Sequence, residues 1–304
     1  MPATEPSTAP WKPWSAFVSC VCIWGSTFLV IRIGNAAVPP LWGATLRLVV
    51  AGVILFGLAA VLRQPLPRGA ALRAAATYGL FQFGGNFSLL YWGETVVPSG
   101  MAAVIFATIP LSTALFTRAF GLEQLTRAKI VGAVVALAGV ALIMSSRLER
   151  AGLIPMLAIL IATWLACIGT IALKKGPRQP VIPLNAVACA VGAPVCFALS
   201  VLAGEPRALP ATAAAVIPIV YLAVAGSVGA FVIFTWLVGR WPITRTSYIA
   251  VLLPLVALTL GTLVLGERFS PAAIAGSAVV LIGVAIGLQI VRAPGARPAA
   301  GVRP

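Results

Sequence analysis

Apolar stretches of about twenty residues, parted by short polar or proline-bearing turns, fill the chain from residue 14 to residue 291. A helix that crosses a bilayer needs about 20 mostly apolar residues. The stretches near 14–33, 41–62, 71–92, 97–118, 126–146, 152–173, 181–203, 213–236, 244–265 and 271–291 reach that length. Barrel strands would be about ten residues long and alternate apolar with polar. These stretches are longer and apolar all round, and helices satisfy their own backbone groups in lipid. The expected fold is all-α and integral to the membrane, with ten transmembrane helices. The turns leave no room for a soluble domain. Residues 1–13 are proline-rich, and the apolar run after them leads straight into further spans. It reads as a retained first helix, not a cleaved signal.

Composition agrees. The chain has 304 residues, 61% apolar and 9% charged, against about 25% charged in a soluble domain. Mean hydropathy is +1.06. A net charge of +15 raises the question of nucleic acid, but the basic residues sit in short loops, as membrane topology requires. With the N-terminus inside, the inner segments hold Lys12, Arg63, Arg68, Arg73, Arg118, Arg127, Lys129, Lys174, Lys175, Arg178, Arg240, Arg245, Arg292, Arg297 and Arg303. The outer segments hold only Arg32, Arg147, Arg150, Arg207 and Arg268. Both termini, 1–13 and 292–304, are thus expected in the cytoplasm. The five cysteines lie inside apolar runs and the chain has no histidine, so no zinc site and no Ser–His or Cys–His nucleophile is expected.

The chain repeats itself. Shifted by 144 residues, 91–143 aligns without a gap on 235–287, with 14 identities in 53 positions. Trp92 meets Trp236, Pro98 meets Pro242, Pro110 meets Pro254, Glu123 meets Glu267, and Gly132 and Gly139 meet Gly276 and Gly283. Each half, 14–146 and 152–291, holds five spans. An odd number turns the second half over in the membrane. Such inverted repeats accompany alternating access, with a substrate site near the midplane.

Several residues are candidates for that site, each with a plainer reading beside it. Tyr78, Gln82 and Asn86 are four apart and share one helical face. They line a cavity or bond neighbouring helices. The matching region, Gly226-Ser227-Val228-Gly229-Ala230, is nearly empty of side chains. Trp24 and Trp164 lie at mid-depth, in the core or on a cavity wall. Arg47, inside the second span, either reaches back to the surface or binds a substrate carboxylate. Pro110 and Pro254 make a matched pair of hinges or of fixed kinks. The Gly132/Gly139 and Gly276/Gly283 stripes suit close packing or a dimer interface. Glu123 and Glu267 serve their turns or a coupling role. No mid-depth Asp, Glu, Lys or His offers a proton relay, and no phosphate-cradling loop is present. No cofactor and no enzymatic role are expected.

Trp24-Gly25-Ser26-Thr27-Phe28, and Pro110 followed by Glu123, repeated as Pro254 and Glu267, resemble the EamA repeat of the drug/metabolite transporter superfamily across residues 14–290. Within it the chain is most similar to the YddG-type amino-acid exporters. In the second half Trp164-Leu165-Ala166 stands where the first half has Trp-Gly. The related small multidrug-resistance proteins use a first-span Glu that this chain lacks. The resemblance implies export of amino acids, aromatic ones included, across a bacterial inner membrane, with some reach to cationic drugs. On this reading Trp24, Trp164 and Tyr78 supply apolar contact. Thr27, Gln82, Asn86 and Ser247 bind polar groups, Tyr248 contributes beside Ser247, and the halves rock about Pro110 and Pro254. The partners are a small-molecule substrate and lipid; the residues leave the oligomeric state open, a monomer being one reading. The competing expectations are export of quaternary ammonium drugs, or a lipid-linked flippase component.

Overall fold

The computed structural model describes residues 11–121, 126–145, 152–241, 243–266 and 270–287, and every regular element among them is helical. The first half holds α1 (Trp11–Asn35), α2 (Pro40–Val61), α3 (Gly69–Tyr78), α4 (Asn86–Gly93), α5 (Ser99–Phe106), α6 (Ile109–Ala119) and α7 (Arg127–Ser145). The second holds α8 (Leu153–Lys175), α9 (Val181–Leu202), α10 (Ala213–Tyr221), α11 (Ala230–Arg240), α12 (Ile243–Leu265) and α13 (Pro271–Gly287). A π-helical stretch, Gly79–Gly85, joins α3 to α4, and another, Leu222–Gly229, joins α10 to α11. Glu123, Glu267, Pro242 and the tails 1–10 and 288–304 lie outside the described residues.

Sequence sets the helix ends. Pro40 stands in the first turn of α2, and Pro98 and Pro180 precede α5 and α9. These are places where a missing N–H costs nothing. Gly121 and Gly204 follow α6 and α9 with φ of 69° and 67°, the left-handed turn that closes a helix. Helix α1 is already formed at Trp11, three residues before the expected edge.

Seven helical runs are long and apolar enough to cross a membrane: Lys12–Asn35, Pro40–Val61, Ser99–Ala119, Leu153–Lys175, Val181–Leu202, Ala213–Arg240 and Thr246–Leu265. Ten were expected. The run 69–93 carries Arg73, Gln82 and Asn86, which lower its hydropathy. Helix α13 is described over 17 residues, up to the point where the described residues end.

The packing is symmetric in the two halves. Helix α2 lies on α9, and α7 on α13. Helix α1 packs against α10, α11 and α12, and its counterpart α8 packs against α3, α4, α5 and α6. Each contact recurs with the halves exchanged, as a two-fold relation between two copies of one unit requires. The glycine stripes lie inside one of these contacts. A methyl on Gly139 would stand 2.6 Å from the Val280 nitrogen, and one on Gly283 would stand 2.8 Å from the Gly132 carbonyl oxygen. Small residues permit that approach.

The proline pair is not symmetric. Pro110 sits in the first turn of α6, just after a break at 107–108, whereas Pro254 lies within the unbroken α12. Pro254 removes the bond the Ala250 carbonyl would accept, whereas Pro110, in a first turn, has no such bond to remove.

The halves are also joined by a cap. Pro39, before α2, has no side-chain acceptor, and the Glu205 carboxylate accepts from the N–H groups of Leu41 (3.1 Å) and Trp42 (2.8 Å) and from Ser200 Oγ (2.9 Å). An anion at a helix N-terminus also meets the favourable end of its dipole. Glu205→Ala is expected to destabilise the protein by about 1 kcal/mol, read as a lowered melting temperature in detergent, with Glu205→Gln intermediate.

Candidate functional site

Between the halves lies a cavity of about 90 Å3, walled by α1, α2, α4, α5, α6, α8, α11, α12 and the stretch Gly79–Gly85. Its apolar wall is aromatic. The Trp24 ring centroid is 4.8 Å from that of Phe231 and 4.9 Å from that of Phe234, and Phe28 meets Phe106 edge-on at 5.3 Å. Such contacts stabilise beyond the area they bury. The polar wall carries Thr27, Arg47, Gln82, Asn86, Thr113, Thr170, Thr246 and Ser247.

Arg47 is only 2% exposed. Its Nε–H donates to Ser227 Oγ (2.8 Å) and its Nη1 to the Tyr91 hydroxyl (3.3 Å), and Cζ lies 4.2 Å from the centroid of the Phe87 ring. Of the two readings of Arg47, the structure excludes the return to the surface. Ser227 lies in the other half and holds the side chain inward. Gly226 makes the room, since a methyl there would stand 3.0 Å from Arg47 Nη2 and 3.0 Å from Thr27 Cγ2. The sparse side chains of 226–230 therefore admit the guanidinium. The Trp24 indole N–H donates to the Gly226 carbonyl (3.3 Å). Asn86 Nδ2 donates to the Gln82 carbonyl (3.2 Å), while Asn86 Oδ1 is buried with no hydrogen-bond partner.

Of the residues expected at the site, Trp24, Thr27, Gln82, Asn86 and Ser247 come together on the cavity wall. Three do not line it. Tyr78 is fully buried one turn away, its ring 5.6 Å from Phe83 and its hydroxyl without a hydrogen-bond partner. Trp164 is 39% exposed on the outer face of α8. Tyr248 packs part-buried against the core. Arg47, one of the candidates with two readings, also lines the cavity, and the rings of Phe28, Phe106, Phe231 and Phe234 join it without a sequence signal that singles them out. The π-helical stretches were also unforeseen. They fall at the same place in both halves, since 79–85 shifted by 144 gives 223–229. Stretches of this kind recur at functional sites, and the glycines at 79, 84, 85, 226 and 229 are their one trace in the sequence.

A helical bundle with an amphiphilic cavity between two related halves is the architecture of a multi-pass membrane transporter. The profile of the EamA-like transporter family matches residues 12–145 and 153–288, and the chain belongs to that family. It is 33% identical over 264 residues to the uncharacterized inner membrane transporter YedA of Escherichia coli, covering 84% of this chain and 83% of that one. It is 31% identical over 271 residues to a probable terminal-alkyne amino-acid exporter of Streptantibioticus cattleyicolor, covering 88% and 91%. It is 28% identical over 285 residues to a probable amino-acid metabolite efflux pump of Salmonella typhimurium, covering 88% and 91%. A solved crystal structure of a 20% identical chain shares the fold at a TM-score of 0.65, over 93% of this chain and 99% of that one.

Ser227→Ala leaves a buried charged donor without its acceptor. The expected cost is about 1–2 kcal/mol, read as a lowered melting temperature. Ser227→Thr, which keeps the hydroxyl, is expected to lose less.

Proposed function

We propose that the protein exports small amphiphilic metabolites, amino acids including aromatic ones foremost, across a bacterial inner membrane by alternating access. The observation that carries this reading is the cavity itself. Both halves contribute to it, aromatic rings surround it, and one buried guanidinium and a few amide and hydroxyl groups face into it. Two relatives named as exporters of amino acids or their metabolites support the substrate class.

In this reading the chain has ten spans in two inverted repeats, 14–146 and 152–291, with the tails 1–13 and 292–304 in the cytoplasm. Trp24 supplies apolar contact, and Thr27, Gln82, Asn86, Ser247 and Arg47 hold polar groups. Pro110 and Pro254 are the hinges. The cavity of about 90 Å3 is well below the roughly 300–1,000 Å3 of ligand pockets, so its walls part to admit a substrate. The break before Pro110 and the Ala250 carbonyl left free by Pro254 lie beside the lining residues Phe106, Ile109 and Ala250, which supports bending at the cavity. Movement is facilitative, because the spans offer no central acid or histidine to carry protons. The Arg47 charge in the wall speaks against a lipophilic cation as the preferred cargo.

The test is flux of labelled phenylalanine through the purified protein in liposomes, with and without a pH gradient. Flux is expected that is indifferent to the gradient and falls at least several-fold in Gln82→Ala and Trp24→Ala. Flux driven by the gradient would overturn the facilitative mechanism. An absence of amino-acid flux beside movement of a quaternary ammonium ion would overturn the substrate class.

A further inference from the structure

The polar wall is lopsided in charge. Among the described residues lining the cavity, Arg47 is the only charged one, and each group holding it is neutral: the Ser227 hydroxyl, the Tyr91 hydroxyl and the face of Phe87. A guanidinium has five N–H donors in a fixed fork that matches a carboxylate. Hydroxyls leave most of that capacity unspent. A buried charge is costly until an opposite charge with good geometry joins it. A ligand with one negative charge cancels it.

A zwitterion brings a second problem into the same space. Its ammonium must shed water, and the described lining offers it amide and hydroxyl oxygens and ring faces but no carboxylate. Ring faces return part of that loss, and neutral oxygens return less than an anion does. The buried acceptor already waiting there, Asn86 Oδ1, is neutral and has no hydrogen-bond partner. A neutral amide N–H satisfies it without importing a charge.

We infer that the carboxylate, and not the amine, is the recognised end of the substrate. Apolar carboxylates whose nitrogen is neutral or absent, N-acylated amino acids above all, are then better ligands than the free amino acids. This rests on the cavity being the substrate site, as proposed above. The carboxylate docks on Arg47, an acylamide N–H faces Asn86, and the apolar side chain lies against Trp24, Phe231 and Phe234. The chemistry that supplies such a substrate in the cell is N-acylation or deamination of an apolar amino acid. Export of the product disposes of a compound that carries net negative charge.

The experiment compares four ligands of one ring size on the purified full chain in lipid nanodiscs: phenylalanine, N-acetylphenylalanine, 3-phenylpropionate and 2-phenylethylamine. The readout is the rise in melting temperature with ligand concentration. The two anions are expected to stabilise the protein at concentrations several-fold below phenylalanine, and the amine to leave it unchanged. In Arg47→Gln the apparent affinity for both anions is expected to fall roughly ten-fold or more, with Arg47→Lys between. The ligand series on the unaltered protein decides the matter even where Arg47→Gln fails to fold. Phenylalanine binding more tightly than both anions would overturn the inference and leave the amino-acid reading standing. Stabilisation by the amine equal to that by the anions would also overturn it. A response to none of the four would remove the proposed site and the inference with it.

Discussion

The buried guanidinium of Arg47 is the constraint around which the centre of the molecule is arranged. It enters from the eighth residue of α2, about 10 Å along that helix, and is 2% exposed. At that depth an unsupported cation costs several kcal/mol. The surrounding sequence supplies the support from three directions. Ser227 and Tyr91 accept its N–H groups, Phe87 offers a ring face, and Gly226 clears the space. The stretches Gly79–Gly85 and Leu222–Gly229 put local irregularity into the helices on either side. Gln82, Gly226 and Ser227 all belong to them, so the π-helical turns supply part of the polar wall and of the setting of Arg47.

Symmetry explains why these pieces meet at all. Corresponding helices pair across the molecule, α2 with α9 and α7 with α13, and the contacts of α1 with α10, α11 and α12 match those of α8 with α3, α4, α5 and α6. The pseudo-two-fold relation brings the middle of each half to the same place. The sequence then breaks the symmetry where it matters. Gln82 has Gly226 as its counterpart, Phe106 has Ala250, and the broken helix at Pro110 corresponds to the continuous one at Pro254. A fold built of two equal units thus acquires one charged wall and one aromatic wall.

Much of this was legible in the residues. Hydrophobic run lengths gave the helical class, and the matched Trp, Pro and Gly residues gave the two units, because both signals are local. Five of the eight candidate contact residues lie together on the cavity wall, since polar groups inside apolar helices have few other places to go. Trp164 does not, and the signal against it was present. It shares a stripe at helical spacing with Ile154, Leu157 and Ile161, all exposed. Ala166, Cys167 and Thr170 on the other side of α8 face the cavity. The residues alone leave Arg47 between two readings because the choice depends on Ser227, 180 residues away. The run 69–93 falls short of the apolar criterion for a like reason: Gln82 and Asn86, which line the cavity, dilute its hydropathy.

The most direct measurement is nitrogen NMR of the purified protein with 15N-labelled arginine, the Arg47 resonance being assigned by its loss in Arg47→Lys. Titration with N-acetylphenylalanine is expected to move the Arg47 side-chain signal while the loop arginines stay in place. A stationary Arg47 signal under ligand concentrations that raise the melting temperature would place the binding elsewhere and contradict a central site built on this charge.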